Sequence, residues 1–138
     1  MKVKTAMHRG VEWCDPDAPV CEIAKIMLDH DIGAVPIGQN DKLVGMVTDR
    51  DIVCNAVAKG SDLSKTVARD VMTPGVIYCR DNENVADAVH RMEKKRVRRM
   101  PVINKNKRMV GMLSLGDISE AAPLELSGEI TKAVSAHH

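Results

Sequence analysis

Two short stretches of this chain carry residue types able to hold a polar ligand. Thr48 and Asp51 place a hydroxyl and a carboxylate three positions apart after the apolar run Leu43-Val44-Gly45-Met46-Val47. Ser114 and Asp117 do the same after Met109-Val110-Gly111-Met112-Leu113. An ionised carboxylate has about four lone-pair positions and can accept both hydrogens of a vicinal diol. A hydroxyl beside backbone N–H groups at a helix start suits a phosphate. The same spacing also satisfies a capping box, in which hydroxyl and carboxylate tie off orphan N–H groups for about 1 kcal/mol each. The four-residue pattern alone favours capping, because such helix starts are common; its twofold recurrence after a glycine-bearing strand, with a proline-bearing strand before it, reverses the reading in favour of ligand binding.

Other chemistries find little support. His8, His30, His90, His137 and His138 form no spacing with a nucleophile or with carboxylates that would read as a catalytic or metal site, so surface or capping roles are expected. There is no paired-carboxylate, Ser-His-Asp or P-loop arrangement, so no catalytic residue and no metal ligand is assigned and the chain is read as a non-enzyme. Cys14, Cys21, Cys54 and Cys79 include no CxxC pair and are expected to be free structural thiols.

The elements that would position the two hydroxyl–carboxylate pairs repeat as a block. A shift of 65 residues lays Met7 on Met72, Gly10 on Gly75, Cys14 on Cys79, Val20 on Val85, Met27 on Met92 and Pro36 on Pro101. One extra residue in the turn 104–108 then brings Gly45 onto Gly111 and Asp51 onto Asp117. In the first copy, residues 10–14 read as an entering strand and Asp15-Pro16-Asp17-Ala18-Pro19 as a helix start. Val20, Ile23, Ala24, Met27 and Leu28 form one helical face, with Gly33 as the stop. Residues 34–37 and 43–47 read as strands about a Gly38-Gln39-Asn40-Asp41 turn, and residues 49–58 as a second helix. The expected organisation is a first repeat over 1–60, a connector over 61–69, a second repeat over 70–121 and a C-terminal helical tail over 122–138, with its helix at about 127–136. The fold class is α/β (α+β): two β-α-β-β-α repeats packed with pseudo-twofold symmetry, because one copy alone leaves a sheet face uncovered.

Composition narrows the partners. The chain has 138 residues, is 44% apolar, and carries 20 basic against 19 acidic residues for a net charge of +1, which gives no global reason to expect nucleic acid or an anionic membrane. Trp13 and Tyr78 are its only aromatics, too few for a base-stacking platform. No apolar run approaches the roughly 20 residues that cross a bilayer, and no apolar leader is evident. A cytoplasmic protein without nucleic-acid or membrane partners is expected.

With the repeat laid out, residues 3–121 resemble a tandem pair of CBS domains, the arrangement called a Bateman module. The resemblance rests on Val35-Pro36-Ile37 and Met100-Pro101-Val102 and on the two Gly-apolar-apolar-Thr/Ser-x-x-Asp stretches at 45–51 and 111–117. It implies a regulatory module without cofactor that binds an adenine nucleotide (AMP, ADP or ATP, in some members S-adenosylmethionine) between the repeats and passes occupancy to a protein target. A homodimer is the implied default. Asp51 and Asp117 are then matched to the ribose and Thr48 and Ser114 to the phosphate. Val11, Val35 and Pro36, or Val76, Met100 and Pro101, would flank the adenine. Arg50, Arg98 and Arg99 are phosphate candidates, since guanidinium groups pair with phosphate through two N–H donors. Gly116 stands where the first copy has Arg50, and Ser114 where it has Thr48. The rival readings are a ligand-free interaction module and a redox or metal sensor built on the cysteines.

Overall fold

The computed structural model describes residues 1–10, 13–40, 42–121 and 127–135. The chain forms two compact units, one made of Glu12–Val76 and the other of Met1–Val11 with Ile77–His138. These units group the chain differently from the sequence repeats, and the difference lies in the leading segment of each copy.

In the Glu12–Val76 unit, α2 (Val20–His30) buries Val20, Ile23 and Met27 on one face. Asp31 ends it in the left-handed conformation at φ 52°, with the Ile32 N–H returning to the Met27 carbonyl at 3.0 Å. Gly33, expected as the stop, instead uses its carbonyl to accept the Asp49 N–H at 3.0 Å. An aspartate tolerates the left-handed region better than most residues, so the helix closes two positions early and Gly33 anchors the helix after the sheet. The second copy repeats this with Arg96 at φ 57° and the Leu115 N–H on the Arg98 carbonyl at 3.0 Å.

β1 (Ala34–Gln39) and β2 (Lys42–Thr48) pair antiparallel with Val35 opposite Val47 and Ala34 opposite Thr48. Each runs a residue or two beyond its expected bounds. The strand expected at 10–14 reduces to one parallel bridge from Cys14 to Ile37, and Val11 and Glu12 lie outside the described residues. The helix expected over 49–58 is present as α3 (Asp49–Ile52) continuing into a π-helical turn, Val53–Val57.

The connector is part of this unit's core. Val67 bridges Pro19, and the Ala68 N–H bonds the Ala18 carbonyl at 2.9 Å. α4 (Ala68–Val71) buries Ala68 and Val71 beside Ile23 and Val47, and β3 (Thr73–Pro74) then pairs with β2.

The other unit is built in the same way from the opposite ends of the chain. Its leading segment is α1 (Val3–Ala6), 65 residues before α4, and Lys2 bridges Asn84 as Val67 bridges Pro19. β4 (Cys79–Arg80) lies parallel to β5 (Arg99–Ile103), which pairs antiparallel with β6 (Met109–Ser114). α5 (Val85–Lys95) buries Val85, Ala88, Val89 and Met92. α6 (Leu115–Ala121) follows β6, and α7 (Ser127–Ser135) packs on α5 and α6 with Ala133 fully buried. The expected tail helix is thus present, with Ala136 outside the described residues.

Each copy's leading segment therefore packs in the unit that holds the other copy's sheet. Gly45 and Gly111 make this possible. A Cβ on Gly111 would meet the His8 carbonyl oxygen at 2.6 Å, and one on Gly45 would meet the Met72 sulfur at 2.6 Å and the Thr73 carbonyl at 3.2 Å. At both glycines the missing Cβ lets the leading segment lie against the strand, with a backbone oxygen nearest at Gly111 and the Met72 sulfur nearest at Gly45.

Candidate functional site

Both hydroxyl–carboxylate pairs sit at the junction where the sheet's return strand becomes a helix, and both form reciprocal caps. The Asp51 N–H donates to Thr48 Oγ1 at 3.0 Å and the Thr48 N–H donates to Asp51 Oδ2 at 2.9 Å. In the second copy the Asp117 N–H donates to Ser114 Oγ at 3.0 Å and the Ser114 N–H to Asp117 Oδ2 at 3.1 Å. All four residues are half-buried.

Capping and ligand binding are compatible here. Each carboxylate spends one oxygen on the cap, and Oδ1 of Asp51 and of Asp117 makes no hydrogen bond among the described residues. Each hydroxyl acts as acceptor in its cap, so its own hydrogen remains available for donation. The cap fixes the rotamer of an acid that still has acceptor capacity to offer.

The other expected site residues divide by unit. Val35 and Met100 have 0% exposure and belong to the two hydrophobic cores, and Pro36 and Pro101 are buried on the strands beside them. They stiffen the strands from within and present no open apolar face. Val76 is half-buried, and Val11 lies outside the described residues. Arg50 is exposed one residue before Asp51. Arg99 is exposed and directly opposite Ser114 across β5 and β6, so one unit brings Arg99, Ser114 and Asp117 together. Arg98 Nη2 donates to the Val134 carbonyl at 3.0 Å, which commits that nitrogen to the end of α7.

A group the sequence reading missed braces the second copy. Arg91 Nη2 pairs with Glu83 Oε1, while Nη1 donates to Glu83 Oε2 at 3.2 Å and to the Tyr78 carbonyl at 3.0 Å. Glu83 Oε2 also accepts the Arg80 N–H at 2.6 Å. The only sequence signal is one acid and one base eight residues apart, too common to single out. Hydrogen bonds from Arg91 hold the Glu83 carboxyl below its ordinary value of 4.5. Since the folded form binds that proton less readily than the unfolded chain, the stabilisation is complete above pH 4.5 and disappears as pH falls through the lower folded value. Glu83→Gln is expected to cost about 1–2 kcal/mol near neutral pH, because Arg91 keeps its charge without a carboxylate. The gap in melting temperature between the two proteins should close on acidification, and a gap independent of pH would refute the ion-pair account.

Cys14 is half-buried, Cys21 and Cys54 are exposed and Cys79 is buried. Cys79 is 1% exposed, and burial, reinforced by the Glu83 charge, pushes its thiol up to about 12, so it stays protonated and inert near neutrality. Cys14, its repeat equivalent, belongs to the other compact unit, and none of the four cysteines is in a disulfide.

Two copies of one α/β unit, each presenting a capped hydroxyl–carboxylate turn at the end of a Gly-bearing strand, define a tandem repeat. The chain belongs to the CBS domain family, which matches residues 3–56 and 68–123. It is 35% identical over 129 residues to Hypoxic response protein 1 of Mycobacterium tuberculosis, covering 93% of this chain and 90% of that protein. The crystal structure of Hypoxic Response Protein I with two coordinated zinc ions superposes with a TM-score of 0.81 at 35% identity, over 89% of this chain and 100% of that one. The CBS domain pair of the protein MJ0100, solved in complex with 5-methylthioadenosine and S-adenosyl-L-methionine, matches with a TM-score of 0.78 at 30% identity, over 87% and 94% of the two chains. Among the described residues no helix is long and apolar enough to cross a membrane.

Proposed function

We propose that this chain is a regulatory module that binds an adenosine-containing ligand, AMP, ADP or ATP, at one or both hydroxyl–carboxylate turns and converts occupancy into altered affinity for a protein target. The observation that carries this reading is the twofold, half-buried carboxylate with its rotamer fixed through Oδ2 and Oδ1 left without a partner among the described residues. Asp51 and Asp117 accept the ribose diol, and Thr48 and Ser114 donate to phosphate or ribose oxygens. Arg99 beside Ser114 and Arg50 beside Asp51 supply positive charge for the phosphates. The adenosine compounds in the MJ0100 complex support the ligand class. Leu28, 81% exposed on α2, with Val53 and Val57 exposed on the π-helical turn, supports self-association into a homodimer.

The test compares wild type with Asp51→Asn and Asp117→Asn. Asparagine keeps a side-chain oxygen for the cap and removes the charge and one acceptor. Melting temperature is followed with AMP, ADP, ATP, S-adenosylmethionine and GTP. Ligand at about 100 times its dissociation constant adds about 2.7 kcal/mol to the wild type. The expected outcome is a shift with an adenosine ligand, at least tenfold weaker binding in one variant, and unchanged melting without ligand. If wild type responds to no ligand, the module acts by protein contact alone.

A further inference from the structure

We infer that His90, Glu93 and Glu129 form a divalent-cation site of the zinc class, which clasps α7 onto α5. His90 and Glu93 lie three residues apart on α5 and so share a face, and Glu129 comes from the first turn of α7. One ligand atom from each lies within 4.8 Å of the others. His90 Nδ1 is already 3.2 Å from Glu129 Oε1. Zinc bonds of about 2.0–2.1 Å in tetrahedral geometry set ligand atoms about 3.3 Å apart. One edge of that tetrahedron therefore exists, and the others close by at most about 1.5 Å of side-chain rotation in glutamates that have three torsions to give.

The donor set is one imidazole nitrogen and two carboxylates, which suits zinc; magnesium and calcium prefer oxygen-only shells. His90 is 71% exposed at its side chain, so a cation can enter from solvent and keep water in its fourth position. The carboxylates are more enclosed, with side-chain exposure of 20% for Glu93 and 30% for Glu129. Two acids on facing helices repel unless a cation lies between them, and the chain supplies partial substitutes. His90 pairs with Glu129, and Lys132 Nζ sits 3.2 Å from Glu93 Oε1. A dication replaces both. Lys132 is thus a built-in competitor, and its ammonium must swing away for the metal to bind. The consequence falls on α7, otherwise held by Ile130 and Ala133 against the core and by Arg98 on the Val134 carbonyl.

The full-length chain is titrated with zinc chloride near neutral pH by calorimetry, as wild type, as the double variant His90→Ala with Glu93→Gln, and as Lys132→Gln. The expected result is one zinc equivalent in wild type that is lost in the double variant. Because that double variant also removes the His90–Glu129 pair and could loosen α7, Lys132→Gln provides an independent arm. It keeps all three ligands, removes the competing charge, and should bind zinc at least about threefold more tightly. No uptake by wild type, equal stoichiometry and affinity in the double variant, or unchanged or weaker binding in Lys132→Gln would each overturn the assignment.

Discussion

Deleting residues 1–8 is expected to unfold the part of the chain that carries the second repeat, although those residues open the first. Val3 is 0% and Met7 8% exposed, and both lie in one core with Val85, Met92, Met100 and Leu113. Removing two such side chains forfeits about 3–6 kcal/mol of apolar burial. The deletion also strips the donors and acceptors of Val3 N–H to the Glu83 carbonyl at 2.8 Å, Val85 N–H to the Met1 carbonyl at 2.9 Å and His8 N–H to the Met112 carbonyl at 2.8 Å, each contributing about 1 kcal/mol. Against a typical domain stability of about 5–15 kcal/mol the loss is close to the whole margin. Amide hydrogen exchange reads this directly. Val89, Met92 and Val102 should lose protection in the truncated chain, while Ile23, Val35 and Val47, in the core of the other unit, keep theirs. Loss of protection first at Ile23 and Val47 would show that the leading segment serves its own repeat.

That exchange of segments marks where sequence reasoning stops. The 65-residue shift establishes that α1 and α4 are equivalent, yet equivalence is satisfied whether each packs on its own copy or on the other. Val3 and Ala68 are apolar in either case. The elements with strong periodicity were legible: Val20, Ile23 and Met27 marked the buried face of α2, and Pro36 and Pro101 marked β1 and β5. Helix ends were less so, because Asp31 and Arg96 take a left-handed position where a glycine is the ordinary signal. For the candidate site, the pairs Thr48–Asp51 and Ser114–Asp117 were visible from spacing, with capping and ligand binding as rival uses. Only geometry shows that the cap occupies one carboxylate oxygen and leaves the other. Arg98 illustrates the opposite limit. Its hydrogen bond to a partner 36 residues away, the Val134 carbonyl, is invisible to any local pattern. Glu129 is likewise remote from His90 and Glu93 in sequence, and the His90–Glu93 pair alone, one histidine and one acid three residues apart, is too common to single out.

Gly111→Val is expected to destabilise the protein by about 3 kcal/mol, at the upper end of overpacking costs, with Gly45→Val costing about half as much. Strand propensity alone argues the other way, since valine is favoured over glycine in a strand by up to about 1 kcal/mol. A destabilised variant therefore isolates the steric term. At Gly111 the new Cβ falls 2.6 Å from a backbone oxygen, that of His8, whose N–H and carbonyl both bond to Met112. Relief requires the whole edge segment to retreat from the sheet, drawing Met7 out of the core. At Gly45 the nearest atom is the sulfur of Met72, the flexible end of a half-buried side chain, and the backbone oxygen of Thr73 stands farther off at 3.2 Å. A methionine can rotate where a paired carbonyl cannot. Urea unfolding of the two variants measures the difference. Equal losses at the two positions would mean that the edge segments yield alike, and a stabilised Gly111→Val would mean that residues 7–8 do not lie against β6. The expected inequality follows from which atom each glycine faces, backbone in one copy and side chain in the other, although the two positions are equivalent in the repeat.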